Sequence, residues 1–181
     1  MLASKLLLVT IALGLGAALA GLPELPAQPP GKGPPGKGMK ADPASAADRD
    51  VFHFLLDHRA DVRRTVKTLT NGVETVTEAD KPEVAGKIRE HVAAMHQRVK
   101  EGKGIHYRDP LFAEVFRHYD KIAMKVERTD KGVKVTETSD DPYVARLIQA
   151  HAAVVTKFIE NGHDEVRKNH PLPGKPDPKK P

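Results

Sequence analysis

Four histidines at two repeated positions are the residues of this chain whose type and spacing point to chemistry. His58 and His118 lie sixty residues apart, and so do His91 and His151. A neutral imidazole is the commonest side-chain ligand of transition metals and a common axial ligand of haem iron. The four residues therefore predict a His-ligated centre, in which each of them could bind a metal ion or haem.

The four histidines belong to a longer internal repeat. Residues 49–102 align with residues 109–162 without a gap. The identical positions include Phe52/Phe112, Gly72/Gly132, Asp80/Asp140, Pro82/Pro142 and Ile88/Ile148. A duplicated unit usually packs about a pseudo-twofold axis, and such an axis brings equivalent side chains together in pairs. The repeat therefore predicts that like histidines approach each other.

Each repeat has the pattern of a helix, a β-hairpin and a second helix. Ile122, Met124 and Val126 alternate with polar residues, which is typical of a strand with one buried face. Asn71-Gly72 is a strong hairpin signal, and the second repeat has a glycine at the same place. Antiparallel strands with one wet face predict helices on the other face. We expect an α+β fold in which two αββα repeats form a four-stranded antiparallel sheet with the helices packed on one face and internal pseudo-twofold symmetry.

The long second helix of each repeat carries His91 or His151, the pair of histidines that we expect first as ligands. Asp80 and Asp140 each precede a proline by two residues and are expected to cap these helices. His91 lies three residues after Ile88, so it falls on the apolar stripe of its helix. His151 has the same place in the second repeat. Both rings are therefore expected to point into the core.

Buried imidazoles need partners, because an unpaired buried polar nitrogen costs roughly 1–3 kcal/mol. The alternative to a ligand role is a structural one, in which each ring bonds a backbone carbonyl or a nearby carboxylate. We expect the ligand role first for His91 and His151, and second for His58 and His118. The remaining histidines have no counterpart in the other repeat and carry less weight: His53, His96, His106, His163 and His170.

The composition excludes several classes of site. The chain has no cysteine, which excludes disulfides, thiolate metal sites, cysteine nucleophiles and covalently attached haem. The net charge of +5 comes from the terminal segments, and there is no basic stripe with interleaved aromatic residues that would predict a nucleic-acid partner. The motifs of zinc proteases, serine hydrolases and nucleotide-binding enzymes are absent from the sequence. An enzyme is therefore the less favoured class.

The two ends of the chain carry segments outside the expected domain. Residues 1–20 have the basic start, short apolar run and Ala-x-Ala end of a signal peptide. Residues 21–47 are interpreted as a Pro/Gly-rich disordered linker, residues 48–170 as a single domain, and residues 171–181 as a Pro/Lys-rich tail. We therefore expect a periplasmic or secreted protein with no membrane span after signal cleavage.

Together these patterns predict an exported binding protein for haem b or a transition-metal ion, copper or zinc, that serves in storage, transport, sensing or electron transfer. One alternative is a cofactor-free protein–protein interaction module with structural histidines, and another is a haem- or metal-dependent enzyme. A second copy of the chain, or a redox or transport protein, would be the protein partner. The open face of the sheet is expected to be wet, because it would carry Lys125, Glu127, Lys134 and Glu137.

Overall fold

The structure, a computed structural model, describes residues 43–174, with side chains from residue 46 onward. The signal peptide expected at residues 1–20, residues 21–42 of the expected linker and residues 175–181 of the expected tail lie outside the described residues. The first helix begins at Pro43, inside the stretch interpreted as linker. The helices are α1 (Pro43–Asp57), α2 (Pro82–Glu101), α3 (Pro110–Arg117), α4 (Pro142–Asn161) and α5 (His163–Val166), and the strands are β1 (Val62–Leu69), β2 (Gly72–Ala79), β3 (Ala123–Thr129) and β4 (Gly132–Thr138). Short 3-10 turns at Arg59–Asp61 and Tyr119–Lys121 lead into β1 and β3.

The four strands form one antiparallel sheet in the order β1-β2-β4-β3. The expected α+β class and four-stranded antiparallel sheet are therefore confirmed. β2 and β4 are the central pair, and Thr75 lies opposite Val135 near the middle of their register. The two hairpins are thus joined edge to edge through their second strands.

The two long helices cover the same face of this sheet. Ile88 of α2 packs with Val133 and Val135 of β4, and Ile148 of α4 packs with Val73 of β2. Alternate residues of paired strands share a face, so these contacts fix the helix-covered side. A further cluster joins α1, α3 and α4 through Leu56, Leu111, Phe112, Val115, Leu147 and Phe158. The core therefore continues from the sheet into the space between the helices.

Two glycines allow the central strands to pair. Gly72 and Gly132 each begin a strand, and neither has a positive φ. A Cβ atom on Gly72 would collide with the carbonyl oxygen of Glu137 on β4, and one on Gly132 with that of Thr77 on β2. These glycines are therefore required by the close approach of β2 and β4, rather than by the hairpin turns that the sequence suggested.

The expected helix caps at Asp80 and Asp140 are wrong. Lys81 is the N-cap residue of α2 and makes no side-chain cap, because Asp80 instead pairs with Arg63 of β1 at 2.5 Å. α4 is capped by Asp141, whose carboxylate accepts hydrogen bonds from backbone N–H groups in the first turn. Each helix thus begins one residue later than the cap signal indicated.

Each long helix is fixed to the hairpin of the other half of the chain. The guanidinium of Arg89 on α2 donates to backbone carbonyls of the β3–β4 turn, including that of Asp130 at 2.7 Å. The amide of Gln149 on α4 donates to the carbonyl of Leu69, at the end of β1, at 2.9 Å. These contacts hold α2 and α4 in place on the sheet, and with them the histidines they carry.

Candidate functional site

His91 on α2 and His151 on α4 are partly buried, and the Nδ1 atom of His91 is fully buried. Burial lowers the pKa of His91 to about 4. Burial, with smaller contributions from the charges of Arg64 and His91, lowers the pKa of His151 to about 4. Both imidazoles are therefore neutral at pH 7, with a lone pair on one ring nitrogen.

Three phenyl rings connect the two imidazoles, and we call Phe52, Phe112 and Phe158 the aromatic cluster. Phe52 of α1 stacks on His91 with ring centroids 5.7 Å apart. Phe112 of α3 meets His151 edge to face at 4.9 Å. Phe158 of α4 lies 5.9 Å from Phe52 and 5.7 Å from Phe112. The pair of histidines therefore shares one apolar, aromatic interior.

The interior beside the aromatic cluster contains polar atoms without protein partners. Within residues 43–174, Nδ1 of His91 and Nε of Arg64 are buried and make no hydrogen bond. The guanidinium of Arg64 is otherwise held by Thr77, whose hydroxyl accepts a bond of 2.7 Å from Nη1. Buried polar groups in native proteins nearly always find a partner, and where protein offers none it is water or a ligand.

An acidic residue also lies on the helix-covered side, so the expectation that Glu137 faces the wet side of the sheet is wrong. Glu137 shares its face with Val133 and Val135, because the three alternate along β4, and it lies opposite Val73 of β2. Burial raises the pKa of Glu137, and the positive charge of Arg64 partly opposes that rise. The space between the sheet and the long helices is therefore polar as well as aromatic.

The second predicted pair, His58 and His118, is engaged at the ends of its own helices. Nδ1–H of His58 donates to the carbonyl oxygen of Phe54 at 2.9 Å, and the His58 ring stacks on the Phe54 ring at 4.0 Å. Nε2 of His118 lies 3.3 Å from the carboxylate of Glu114. These contacts correspond to the structural role that the sequence left open. The four predicted histidines are thus not gathered into one group.

A buried histidine between two carboxylates is the main feature that the sequence did not reveal. Nδ1 of His170 lies 2.6 Å from Asp109, and Nε2 lies 3.1 Å from Glu165. Asp109 is fully buried and also accepts the backbone N–H of Leu111 at the start of α3. Both ring nitrogens of His170 therefore contact carboxylates. His170 therefore fastens the segment after α4 to the start of α3.

The pKa shifts of Asp109 and Glu165 agree with their hydrogen bonds to His170. Burial by itself would raise the pKa of Asp109, but hydrogen bonds from His170 and Leu111 outweigh it and hold the pKa below its usual range. Hydrogen bonds from Lys168 and His170 lower the pKa of Glu165 to about 2. The only sequence signal was Asp109 before Pro110, which marks a helix start. Nothing local linked it to a histidine 61 positions away.

The room around the histidine pair is limited. Phe52 and Phe112 are in ring contact with His91 and His151, so a flat macrocycle would have to displace one of these phenyl rings. Two surface depressions of about 700 and 490 Å³ lie elsewhere, one at the start of α4 and the other on the open face of the sheet. The described part of the chain contains no ready-made group of three His, Asp or Glu side chains that could hold a metal ion.

Comparisons with models of protein families, with curated proteins and with solved structures found no match to this chain. None of the helices within residues 43–174 has the length and apolarity that crossing a membrane requires. The site must therefore be interpreted from its own chemistry.

Proposed function

We propose that this chain is an exported binding protein whose His91 and His151 hold a transition-metal ion or a non-covalent haem for storage, transport, sensing or electron transfer. The observation that carries the proposal is that two neutral imidazoles from different helices share one aromatic interior. A neutral imidazole binds a metal without first losing a proton. Binding at Nδ1 of His91 would also satisfy a buried nitrogen that has no partner among the described residues.

A single metal ion fits this interior better than haem does. A porphyrin would have to displace Phe52 or Phe112, which lie against the two imidazoles. Structural zinc takes four ligands, whereas the described residues contain no group of three or more His, Asp or Glu side chains that could hold a metal ion. Imidazole suits copper, and copper in its +1 state accepts two nitrogen ligands. Cu(I) is therefore the occupant we propose first, with haem as the alternative.

We also propose that the domain arose by duplication and that its halves are related by a pseudo-twofold axis between β2 and β4. The support is a set of equivalent contacts sixty residues apart. Lys81 pairs with Asp61 at 2.9 Å, and Lys121 pairs with Asp141 at 2.8 Å, so the same two positions keep an ion pair with the charges exchanged. Such an axis would relate His91 to His151 and favour a ligand bound by both.

Titration of the metal-free protein with Cu(I), in competition with a chromogenic chelator, tests the proposed centre. Wild-type protein should bind Cu(I) tightly. The H91L/H151L variant should bind at least a hundredfold more weakly, because both donors are replaced by apolar side chains that the core accepts. H96A is the matched control, since it removes another histidine from α2 and should bind as wild type does. Circular dichroism of each variant confirms that it is folded.

Three outcomes separate the alternatives. Loss of Cu(I) binding in H58L/H118L, with binding retained in H91L/H151L, would contradict the site. A Soret band on haemin titration that disappears in H91L/H151L would identify haem as the occupant. A folded wild-type protein that takes up neither ligand would overturn the proposal in favour of a cofactor-free interaction module.

Export is proposed from the sequence of residues 1–20, which lie outside the described residues. Expression in a Gram-negative bacterium, followed by fractionation and mass spectrometry, measures the mature N-terminus. Cleavage after Ala20 and recovery from the periplasm are expected. A full-length cytoplasmic product would contradict export and leave the metal-binding test unaffected.

A further inference from the structure

Two further histidines meet at the surface, where α5 returns to the side of α1. The ring centroids of His53 on α1 and His163 at the start of α5 are 5.4 Å apart, with an interplanar angle of 70°. Gly162 produces this return, with φ 61° and ψ −138°, and a Cβ on it would lie 3.2 Å from Nε of Arg59. The backbone conformation at Gly162 therefore positions His163 beside His53.

A carboxylate lies beside the two rings. Asp57 is four residues after His53, so both side chains project from the same face of α1. Nε2 of His163 lies 2.9 Å from Oδ1 of Asp57, and the two side chains are 41% and 63% exposed. The pKa of Asp57 is lowered mainly by the hydrogen bond from His163. The charges of His163, His53 and His58 lower it by smaller amounts. This carboxylate is therefore ionised at neutral pH and accessible from solvent.

We propose that His53, Asp57 and His163 form a surface site for a divalent transition-metal ion, with Zn²⁺ as the probe. Two imidazoles and one carboxylate, with water in the fourth position, are a common donor set for such ions. The proposed site shares no residue with the His91/His151 centre and stands without it.

The distances among the side chains of His53, Asp57 and His163 can be compared with the distances between ligands of one zinc ion. Two imidazoles on one zinc, each with Zn–N of about 2.0–2.1 Å in tetrahedral geometry, have ring centroids about 5 Å apart. The observed separation of His53 and His163 is 5.4 Å. Two donor atoms on one zinc lie about 3.3 Å apart, so the contact of 2.9 Å between His163 and Asp57 must open slightly. The three donors do not yet converge on one point, and rotation of these solvent-facing side chains would complete the site.

Isothermal titration of the full chain with Zn²⁺ tests this proposal. H53A and H163A should each weaken Zn²⁺ binding at least tenfold, and D57N should weaken it several-fold. D50N, which removes another exposed carboxylate from α1, and H96A should bind as wild type does. H163N keeps a polar side chain beside Asp57 but replaces the imidazole, so it should lose affinity as H163A does. In nuclear magnetic resonance spectra, Zn²⁺ should shift the imidazole signals of His53 and His163.

Retention of wild-type Zn²⁺ affinity in both H53A and H163A would overturn the proposal. So would a titration in which neither imidazole signal moves. The H91L/H151L variant separates this site from the proposed internal centre, because it should keep the Zn²⁺ affinity of the wild-type protein within about twofold. Loss of Zn²⁺ binding in that variant alone would place the ion in the interior and contradict the surface site.

Discussion

Mild acid should destabilise this protein through its two interior histidines. In the unfolded chain a histidine has a pKa near 6.5, whereas burial lowers the pKa of His91 and His151 to about 4. Between these values the unfolded state binds more protons than the folded state does. The free energy of unfolding therefore falls as the pH decreases from about 6.5 to about 4, and it recovers as the pH is raised.

The size of this effect follows from the two pKa values. With a pKa of 6.5 unfolded and about 4 folded, each histidine loses about 2 kcal/mol of stabilisation when the pH falls from 7 to 5. The two together account for about 4 kcal/mol. Since a domain of this size is typically stable by roughly 5–15 kcal/mol, the change is large enough to measure by equilibrium unfolding.

Urea denaturation of the metal-free protein at pH 7, 6 and 5 measures the effect. Wild-type protein should lose about 4 kcal/mol over this range, and H91L/H151L should lose less than about half of that, because leucine does not titrate. The single variants should fall between the two. A wild-type free energy of unfolding that is constant from pH 7 to pH 5 would refute the reasoning. An equally steep loss in the double variant would assign the acid sensitivity to other groups.

Two further substitutions test the packing that positions the site. G72A should destabilise the protein by about 3 kcal/mol or more in urea unfolding, because the new Cβ meets the backbone of Glu137 and opens roughly two to four hydrogen bonds of the β2–β4 ladder, each worth about 1 kcal/mol. G86A is its control: nothing lies within 4 Å of the new Cβ, so alanine in α2 should stabilise by up to about 1 kcal/mol, and equal effects of the two variants would contradict the close-approach argument. D109N should cost about 3 kcal/mol, because it disrupts the buried hydrogen bonds of the carboxylate with the ring and backbone N–H of His170 and the backbone N–H of Leu111, each worth about 1 kcal/mol, and the signals of residues 163–170 should broaden or shift in nuclear magnetic resonance spectra. D141N, which alters a cap paired with an exposed lysine, should cost less, and a D109N variant as stable as D141N would argue against the role of His170 as a fastener.

Much of the fold could be predicted because its signals are local. The alternation of Ile122, Met124 and Val126 marks a strand with one buried face, and the structure has all three partly buried beside core residues. The spacing of three residues between Ile88 and His91 placed both on one helix face, and Ile88 and the Nδ1 atom of His91 are buried. Patterns of this kind depend only on the geometry of a single helix or strand, so tertiary contacts do not need to be known.

The errors fall where a tertiary contact competes with a local signal. Asp80 has the sequence context of a helix cap, but Arg63 on β1 and Lys131 in the other hairpin take its carboxylate. Glu137 looks like a surface residue by type, yet its register with Val73 directs it toward the helices. Each outcome depends on residues that are distant in sequence, and a single sequence without its fold does not identify them.

The hydrogen-bond partners of the histidines separate structural from ligand roles better than the repeat alone does. His58, His118 and His170 are all held by oxygen atoms of the protein. A ring nitrogen that donates a hydrogen bond carries the proton and has no lone pair for a metal, and the packing around these three rings opposes the rotation that is open to the solvent-exposed His163. Nδ1 of His91 and Nε2 of His106 are both buried without such a partner. Duplication would copy structural and ligating histidines alike, so neither observation suffices alone: His91 is the histidine that has both an unpaired buried nitrogen and a counterpart in the other repeat, and this combination is the reason to place the bound centre between α2 and α4.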